Sequence, residues 1–193
     1  MFDLGGVIVD FSEQKYVRYM VKRLGLDYKY MLEVIDRKLP LLETARINQK
    51  EYESYCVKML GLKSRSQLEW SKGFNTVANT DYDVLNLARE LHKRYRTALI
   101  TNISRSRYAT ACRNKFDKSV FDRRFTSYGL RIKKPDKRIY EIVLNRMGAN
   151  PEETVFIDNM RENVDGAESI GIHGIVFKNY KQLIRDLRNI GVI

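Results

Sequence analysis

From residue 81 onward, short apolar stretches alternate with longer segments of helical periodicity, and this alternation restricts the possible folds more than any other feature. Three stretches have the composition of buried strands: residues 97–101, residues 154–157, which stop at Asp158, and residues 174–177. Near-continuous apolar runs of this length are typical of strands that are covered on both sides. Strands that alternate with helices predict a parallel sheet with helices on both faces.

The segments between these strands carry helix signals. Asp81 or Asp83 can cap a helix that continues to Leu91. Further helices are predicted over residues 136–147 and 162–170, and a glycine follows each of them. Glycine is a frequent residue just past the end of a helix, which supports both boundaries.

Residues 12–80 have a different pattern, with apolar side chains at helical spacing throughout. We expect Pro40, Gly61 and Gly73 to break this segment into several helices. We predict an α/β fold, a Rossmann-like parallel sheet core with helices on both faces. The core, which we call the α/β part, comprises residues 1–11 and 81–193, and the small helical segment of residues 12–80 is inserted in it.

Composition places the chain among globular proteins, with 44% hydrophobic and 31% charged residues. No apolar run approaches the ~20 residues of a membrane span, and the start of the chain lacks a secretory signal pattern. Cys56 and Cys112 suggest neither a disulfide framework nor a metal site. We expect a cytoplasmic protein with no membrane partner. The net charge of +11 makes phosphorylated small molecules and nucleic acid candidate partners.

Polar residues follow the predicted strands at the point where each strand ends. Asp3 follows the first apolar residues, Thr101–Asn102 end the next strand, and Asp158–Asn159 end the one after it. Because ligands bind at the carboxyl ends of strands in an open parallel sheet, we expect these side chains to converge, with Lys134 on an adjacent loop. Two carboxylates suit a hard cation such as Mg²⁺, and a lysine and a hydroxyl suit a phosphate group.

Four ordered stretches resemble the motifs of the haloacid dehalogenase-like hydrolase superfamily. They are Phe2–Asp10 (Phe-Asp-Leu-Gly-Gly-Val-Ile-Val-Asp), Leu99–Asn102, Lys133–Asp136 and Val155–Asn159. The helical segment resembles the small helical cap of the phosphatase-type branch. Within it, Glu43–Ile47 is similar to a recurring cap segment of sugar-phosphatase-like members.

The resemblance implies a Mg²⁺-dependent phosphatase of a small phosphorylated metabolite. It makes Asp3 the nucleophile, which takes the phosphoryl group as an aspartyl-phosphate. Thr101 and Asn102 would bind the phosphoryl oxygens, and Lys134 would neutralise the charge of phosphate and nucleophile together. Catalytic roles therefore fall to Asp3, Thr101 and Lys134.

The same resemblance assigns the Mg²⁺ ligands. Asp3 and Asp158 would bind the ion with the backbone carbonyl of Gly5. Asn159 would contribute through a water molecule or orient the lysine. In this arrangement the metal is an electrostatic template and not a redox centre.

Three departures from the family pattern affect the prediction. Gly5 replaces an aspartate that serves many family phosphatases as general acid and base, and such a group contributes ~10²–10⁴-fold in rate. Its absence favours substrates with good leaving groups or a proton donor from the cap. Asn159 replaces a second aspartate, which weakens the metal site. Only Met1 and Phe2 precede Asp3, where the family has a longer apolar strand.

A basic belt between Ser104 and Arg138 carries most of the net charge, with twelve Lys or Arg residues and three acidic ones. It suits an ordinary basic surface, attraction of an anionic substrate, or non-specific nucleic-acid binding. Two alternatives to the phosphatase remain open. In the first, a 2-haloacid dehalogenase, Asp3 attacks carbon without a metal. The second is a catalytically degenerate member that binds nucleic acid through the belt.

Overall fold

The computed structural model describes residues 1–193, with the side chain of Asn114 left aside. Its strands are short: β1 Val9–Asp10, β2 Asn79–Thr80, β3 Ala98–Thr101, β4 Arg123–Thr126, β5 Val155–Asp158 and β6 His173–Val176. The helices are α1 Glu13–Leu24, α2 Tyr28–Glu43, α3 Gln49–Met59, α4 Trp70–Val77, α5 Tyr82–His92, α6 Arg105–Asn114, α7 Ser127–Leu130, α8 Lys137–Met147, α9 Arg161–Glu168 and α10 Tyr180–Asn189.

A parallel sheet forms the centre of the α/β part. β3 pairs with β4 and β5 pairs with β6, both in parallel register. Residues 1–3 join the two pairs, because Phe2 bridges Leu99 on one side and Ile157 on the other. The order across the sheet is therefore β4, β3, residues 1–3, β5 and β6, which confirms the predicted parallel α/β architecture.

Helices cover both faces of this sheet, as predicted. Along β3, Leu99 packs into one apolar cluster, whereas Ala98 and Ile100 pack into another. Successive side chains of a strand point to opposite faces, so the two clusters lie on opposite sides of the sheet. The first cluster contains side chains of α5 and α10, and the second contains side chains of α8 and α9.

Pro40 lies inside α2 and Gly73 lies inside α4, so the helix breaks predicted at these two residues are wrong.

In the α/β part, local signals agree better with the observed helix ends. Asp81 is the cap of α5, since its side chain accepts a hydrogen bond from the backbone N–H of Val84. The helix predicted over 136–147 is α8, capped by Asp136, and the helix predicted over 162–170 is the slightly shorter α9. Asp136 therefore stands outside α8 as its cap and not inside it.

The helical segment has an apolar cluster of its own. Its centre contains Tyr16, Met20, Ile35 and Tyr52, all essentially inaccessible to solvent. Trp70 stacks on Tyr16 with ring centroids 4.5 Å apart. Within the described residues, no helix is both long and apolar enough to span a membrane.

The helical segment leaves and rejoins the α/β part through one short ribbon. β1 and β2 are antiparallel, with Val9 opposite Thr80 and Asp10 opposite Asn79. Residues 79–80, which the sequence placed at the end of the helical region, are therefore extended. The two connections lie side by side as a result.

Candidate active site

Three distant parts of the chain meet at the carboxyl ends of the central strands. The ammonium nitrogen Nζ of Lys134 donates to Asp3 Oδ1 at 2.6 Å and to Asp158 Oδ2 at 2.6 Å. All three residues are buried, and Asp158 has no exposed surface. We call these three residues the lysine cluster. It confirms the predicted convergence of two strand ends and the adjacent loop.

The backbone around Lys134 is held from two sides. Asn102 clamps it, because the amide nitrogen of Asn102 donates to the Lys134 carbonyl at 3.0 Å and the amide oxygen accepts from the Lys134 N–H at 2.9 Å. On the other side α9 approaches closely at Gly166, where a Cβ atom would lie 2.5 Å from the Pro135 carbonyl oxygen. Lys134 Nζ also donates to the Ile100 carbonyl at 2.9 Å, so its position is fixed by three acceptors.

Asp158 makes further hydrogen bonds beneath the lysine. Its Oδ1 accepts from the Met160 N–H at 2.8 Å, and the amide nitrogen of Asn163 lies 3.1 Å from each carboxylate oxygen. Among the described residues, the amide oxygen Oδ1 of Asn163 is a buried acceptor without a partner. Sequence reasoning gave Asn163 no role, although it lies in the stretch that follows Asp158.

The lysine cluster lies at the base of a cleft of about 280 Å³ between the α/β part and the helical segment. Six of the seven site residues predicted from sequence line this cleft: Asp3, Gly5, Thr101, Asn102, Lys134 and Asn159. Asp158 lies behind Lys134. The structure thus brings all seven together, and their individual roles stay predictions.

Gly6 packs closely against Asn159 at the turn that follows Asp3. Gly6 has φ +82°, a backbone conformation that residues with a side chain rarely adopt. A Cβ atom at this position would lie 2.5 Å from the Asn159 amide nitrogen. Glycine at position 6 therefore allows the turn to pass close to Asn159. Gly5, which precedes this turn, lines the cleft.

Burial and charge act against each other in the lysine cluster. Burial, reinforced by the negative charge of Asp158, raises the pKa of the Asp3 carboxyl to about 7, while Lys134 opposes the shift. The two carboxylates raise the pKa of Lys134 although burial lowers it. Lys134 is thus held as an ammonium ion between the two acids.

Two ion pairs cross the cleft above the lysine cluster. Arg107 of α6 pairs with Glu13 of α1, and Lys133 pairs with Glu43 of α2 at 2.9 Å. We call them the crossing pairs. The Arg107 guanidinium also lies 4.8 Å from the ring centroid of Phe11. No individual site role was predicted for Glu13, Glu43 or Arg107, because only tertiary packing brings acids of the helical segment opposite bases of the α/β part.

The basic belt contributes little free positive charge to this cleft. Its members that line the cleft are Arg107, Lys133 and Lys134, and each has a carboxylate partner. Most other belt residues, such as Arg105, Arg113 and Arg123, are exposed on the surface. Binding of nucleic acid by the belt stays a prediction.

Comparison with known proteins agrees with this geometry. The family described as haloacid dehalogenase-like hydrolase matches residues 1–171. The chain belongs to the haloacid dehalogenase-like hydrolase family. The resemblance inferred from the four motifs is thereby confirmed, and the chain is a hydrolase.

Two phosphatases and one solved structure are similar to this chain over nearly its whole length. A D-ribitol-5-phosphate phosphatase from Bacteroides thetaiotaomicron is 27% identical over 89% of this chain and 87% of its own length. A sesquiterpene phosphatase from Aspergillus oryzae is 23% identical over 98% of this chain and 94% of its own. A haloacid dehalogenase family enzyme from B. thetaiotaomicron, crystallised with magnesium and inorganic phosphate, superimposes with a TM-score of 0.77 at 23% identity over 95% and 97% of the two chains.

Proposed function

We propose that this hydrolase is a Mg²⁺-dependent phosphatase of small phosphorylated metabolites that works through a phosphoryl group on Asp3. The observation that carries the proposal is the lysine cluster, in which one buried ammonium ion bonds a carboxylate from each of two strand ends. The names of two relatives, a ribitol-phosphate phosphatase and a sesquiterpene phosphatase, support the same reaction type.

Asp3 is the nucleophile in this proposal. Its Oδ1 is held by Lys134, and its side chain faces the cleft. A bond forms between an Asp3 carboxylate oxygen and phosphorus while the ester P–O bond breaks, and the leaving alkoxide takes up a proton. Water then attacks phosphorus, phosphate departs, and the Asp3 carboxylate is regenerated.

The remaining residues stabilise charge on the phosphoryl group. Thr101 ends β3 beside Asp3, so its hydroxyl can donate to a phosphoryl oxygen. Lys134 supplies a positive charge that its surroundings keep in place. Asn102 keeps the Lys134 backbone fixed through its two hydrogen bonds. Gly5 offers no acid to protonate the leaving group, so we expect esters with good leaving groups to react faster.

The residues around the lysine cluster fit a hard cation. Among the residues described, no three His, Cys, Asp or Glu side chains form a ready metal cluster, so the ligands must include other oxygens. The Gly5 carbonyl is such an oxygen, and the unpartnered amide oxygen of Asn163 beside Asp158 gives the site polar surroundings that suit a cation. Asp3, Asp158 and the Gly5 carbonyl would hold the ion, with Asn159 acting through water. Bound Mg²⁺ supplies positive charge that stabilises the phosphoryl oxygens.

The helical segment acts as a cap over the reaction. It lines the cleft with Ser12, Glu13, Leu39, Glu43 and Phe74, opposite the residues of the α/β part. Closing such a cleft excludes water and selects the substrate by the shape and charge of its leaving group. The division into residues 1–11 and 81–193 against 12–80 is part of this proposal.

The test is phosphate release from a panel that includes an acyl phosphate, a glycosyl phosphate and an alkyl phosphate, with Mg²⁺ and with EDTA. We expect release with Mg²⁺ only, abolished by Asp3→Asn and retained by Asp83→Asn, which makes the same change at an exposed helix terminus. Release that survives Asp3→Asn would contradict the role of Asp3. Equal rates for all esters would contradict the leaving-group preference.

Two other outcomes would favour the alternatives. Metal-independent chloride release from a 2-haloacid would favour attack on carbon by Asp3. Salt-sensitive binding of DNA or RNA without phosphate release would favour a binding protein, because neutralising phosphates with lysine and arginine makes affinity fall with salt.

A further inference from the structure

We propose that the cleft selects phosphate esters whose leaving group is uncharged, and that Glu13 and Glu43 exclude leaving groups that carry a second anion. The inference rests on the proposed phosphatase function and names the substrate class of the same site. It is drawn from the charges that line the cleft above the lysine cluster.

The cleft has no cation to offer to a second anionic group. Among its described lining residues the cations are Arg107, Lys133 and Lys134. Arg107 is paired with Glu13, Lys133 with Glu43, and Lys134 with the two aspartates. Glu162 adds a further carboxylate at the exposed rim. Beyond the phosphate position, the cleft is therefore neutral to negative.

The two glutamates belong to the lining that the helical segment contributes to the cleft. Attacking and leaving oxygens are roughly in line at phosphorus, so the leaving group extends away from Asp3. Asp3 lies at the carboxyl end of the central strand, and α1 and α2, which carry Glu13 and Glu43, supply the lining of the same cleft from the helical segment. A carboxylate or second phosphate on the leaving group would approach these two acids.

A second substrate anion could bind Lys133 only by displacing the buried carboxylate of Glu43. Glu43 is 5% exposed, and burial raises the pKa of its carboxyl although Lys133 opposes the shift. The charged groups that face Glu43 are Lys133, Glu13 and Arg107. If a substrate anion bonded Lys133, the Glu43 carboxylate would lose its partner in a poorly solvated position, which is unfavourable.

The rest of the cleft wall suits a carbon skeleton with hydroxyl groups. Phe11, Leu39, Phe74 and Ile103 give it apolar surface. The crossing pairs use Oε1 of Glu13 and Oε2 of Glu43, and a carboxylate has two acceptor oxygens. Each glutamate can therefore also accept a hydrogen bond from a neutral hydroxyl of the leaving group.

The acids in the cleft contrast with the net positive charge of the whole chain. A net charge of +11 attracts every phosphate ester to the protein surface. The acids of the helical segment then discriminate among them within the cleft. A basic chain thus has a site that disfavours doubly anionic substrates.

The experiment compares two esters that differ only at the far end of the leaving group: glycerol 3-phosphate, which ends in CH₂OH, and 3-phosphoglycerate, which ends in a carboxylate. We expect kcat/KM with Mg²⁺ to favour glycerol 3-phosphate by about tenfold or more, the effect of placing like charges together. Both esters release a primary alkoxide, so leaving-group quality does not explain the difference.

Variants locate the effect in the glutamates. Glu43→Gln and Glu13→Gln should each lower the ratio of kcat/KM for glycerol 3-phosphate to kcat/KM for 3-phosphoglycerate several-fold, because hydrolysis of 3-phosphoglycerate becomes faster. Glu33→Gln is the matched control, because it removes one carboxylate from the same helix at an exposed position outside the cleft. It should leave the ratio unchanged.

A binding arm separates the two proposals. The dissociation constants of both esters are measured by calorimetry on Asp3→Asn, where no turnover interferes. If the two dissociation constants were equal, or if 3-phosphoglycerate bound more tightly, the inference would be overturned even if the wild-type protein releases phosphate. If wild-type protein releases phosphate from no ester of the wider panel, the acyl and glycosyl phosphates included, but the variant binds glycerol 3-phosphate more tightly, the proposed function fails and the charge selection stands.

Discussion

The two groups of ion pairs around the cleft differ in where their partners originate. The lysine cluster is built wholly from the α/β part, and its side chains are 1%, 9% and 0% exposed for Lys134, Asp3 and Asp158. Each crossing pair instead joins a base of the α/β part to Glu13 or Glu43 of the helical segment. The first group is fixed by strand register, whereas the second depends on how the helical segment is placed. In the proposed function, the reacting groups therefore depend on the sheet, and the selection of substrate depends on the placement of the helical segment.

The largest expected effect is the removal of the cation from the lysine cluster. Lys134→Met would leave two buried carboxylates facing each other, and we expect the free energy of unfolding to fall by about 3–5 kcal/mol. Phosphate release would be lost as well. Chemical denaturation and the phosphate assay measure both effects.

The matched control is Lys137→Met, an exposed lysine three residues along the same basic belt. It should behave as wild type. If Lys134→Met were as stable as wild type, the lysine cluster would not contribute more to stability than the crossing pairs do.

A smaller effect is expected when the clamp on Lys134 is removed. Asn102→Ala deletes both hydrogen bonds to the Lys134 backbone, and we expect a loss of about 1–3 kcal/mol. Because the lysine remains but is less well positioned, kcat should fall more than KM changes. Asn86→Ala, which removes one exposed hydrogen bond to Arg89, is the control. A variant with altered KM and normal kcat would argue against a positioning role.

The crossing pairs should contribute less to stability and be more sensitive to salt. We expect Lys133→Met to lower the free energy of unfolding by about 1 kcal/mol, since Glu43 can take up a proton when its partner is removed. Salt should diminish this difference, because Lys133 is half-exposed and its charge is screened. Lys50→Met, at an exposed site of α3, serves for comparison. A loss as large as that of Lys134→Met would remove the distinction between the two groups.

The smallest effect concerns pH. Burial raises the pKa of Glu43 above its ordinary value of 4.5, so the folded state binds this proton more tightly than the unfolded state. Its contribution to stability is therefore fully present below about pH 4.5 and declines as pH rises through the raised pKa. Glu43→Gln removes that contribution, and the variant should lose less stability than wild type on going from acid to neutral pH. Parallel stability curves for the two proteins would contradict the prediction, and Glu33→Gln controls for the loss of one charge.

The sequence was sufficient for the lysine cluster because strand ends have a fixed direction. Asp3, Thr101 and Asp158 each end a short apolar stretch, and parallel strands bring such ends to one edge. Lys134 was placed beside them by its motif. Strand direction thus predicts where the two carboxylates lie, whereas the lysine was located by its motif.

Other features depended on information that a single sequence does not display. β4 was missed because exposed Arg123 and Arg124 begin it, so that it resembled the rest of the basic belt. α10 has a clear apolar stripe through Leu183 and Leu187 but was not identified. Glu13 was not distinguished from other helix residues and Glu43 was noted only as the start of a cap-like segment, because the crossing pairs exist only when the helical segment packs against the α/β part.

The ribbon of β1 and β2 has a consequence for how such a chain can change. Paired strands are about 5 Å apart, so residues 9 and 80 could be joined by a tight turn without disturbing the sheet. An insert attached at adjoining points can be lengthened, shortened or exchanged while the rest of the domain keeps its fold. Replacing residues 11–78 by the corresponding segment of a relative would show whether substrate preference is transferred with the insert. If it is, the helical segment and the α/β part can evolve independently.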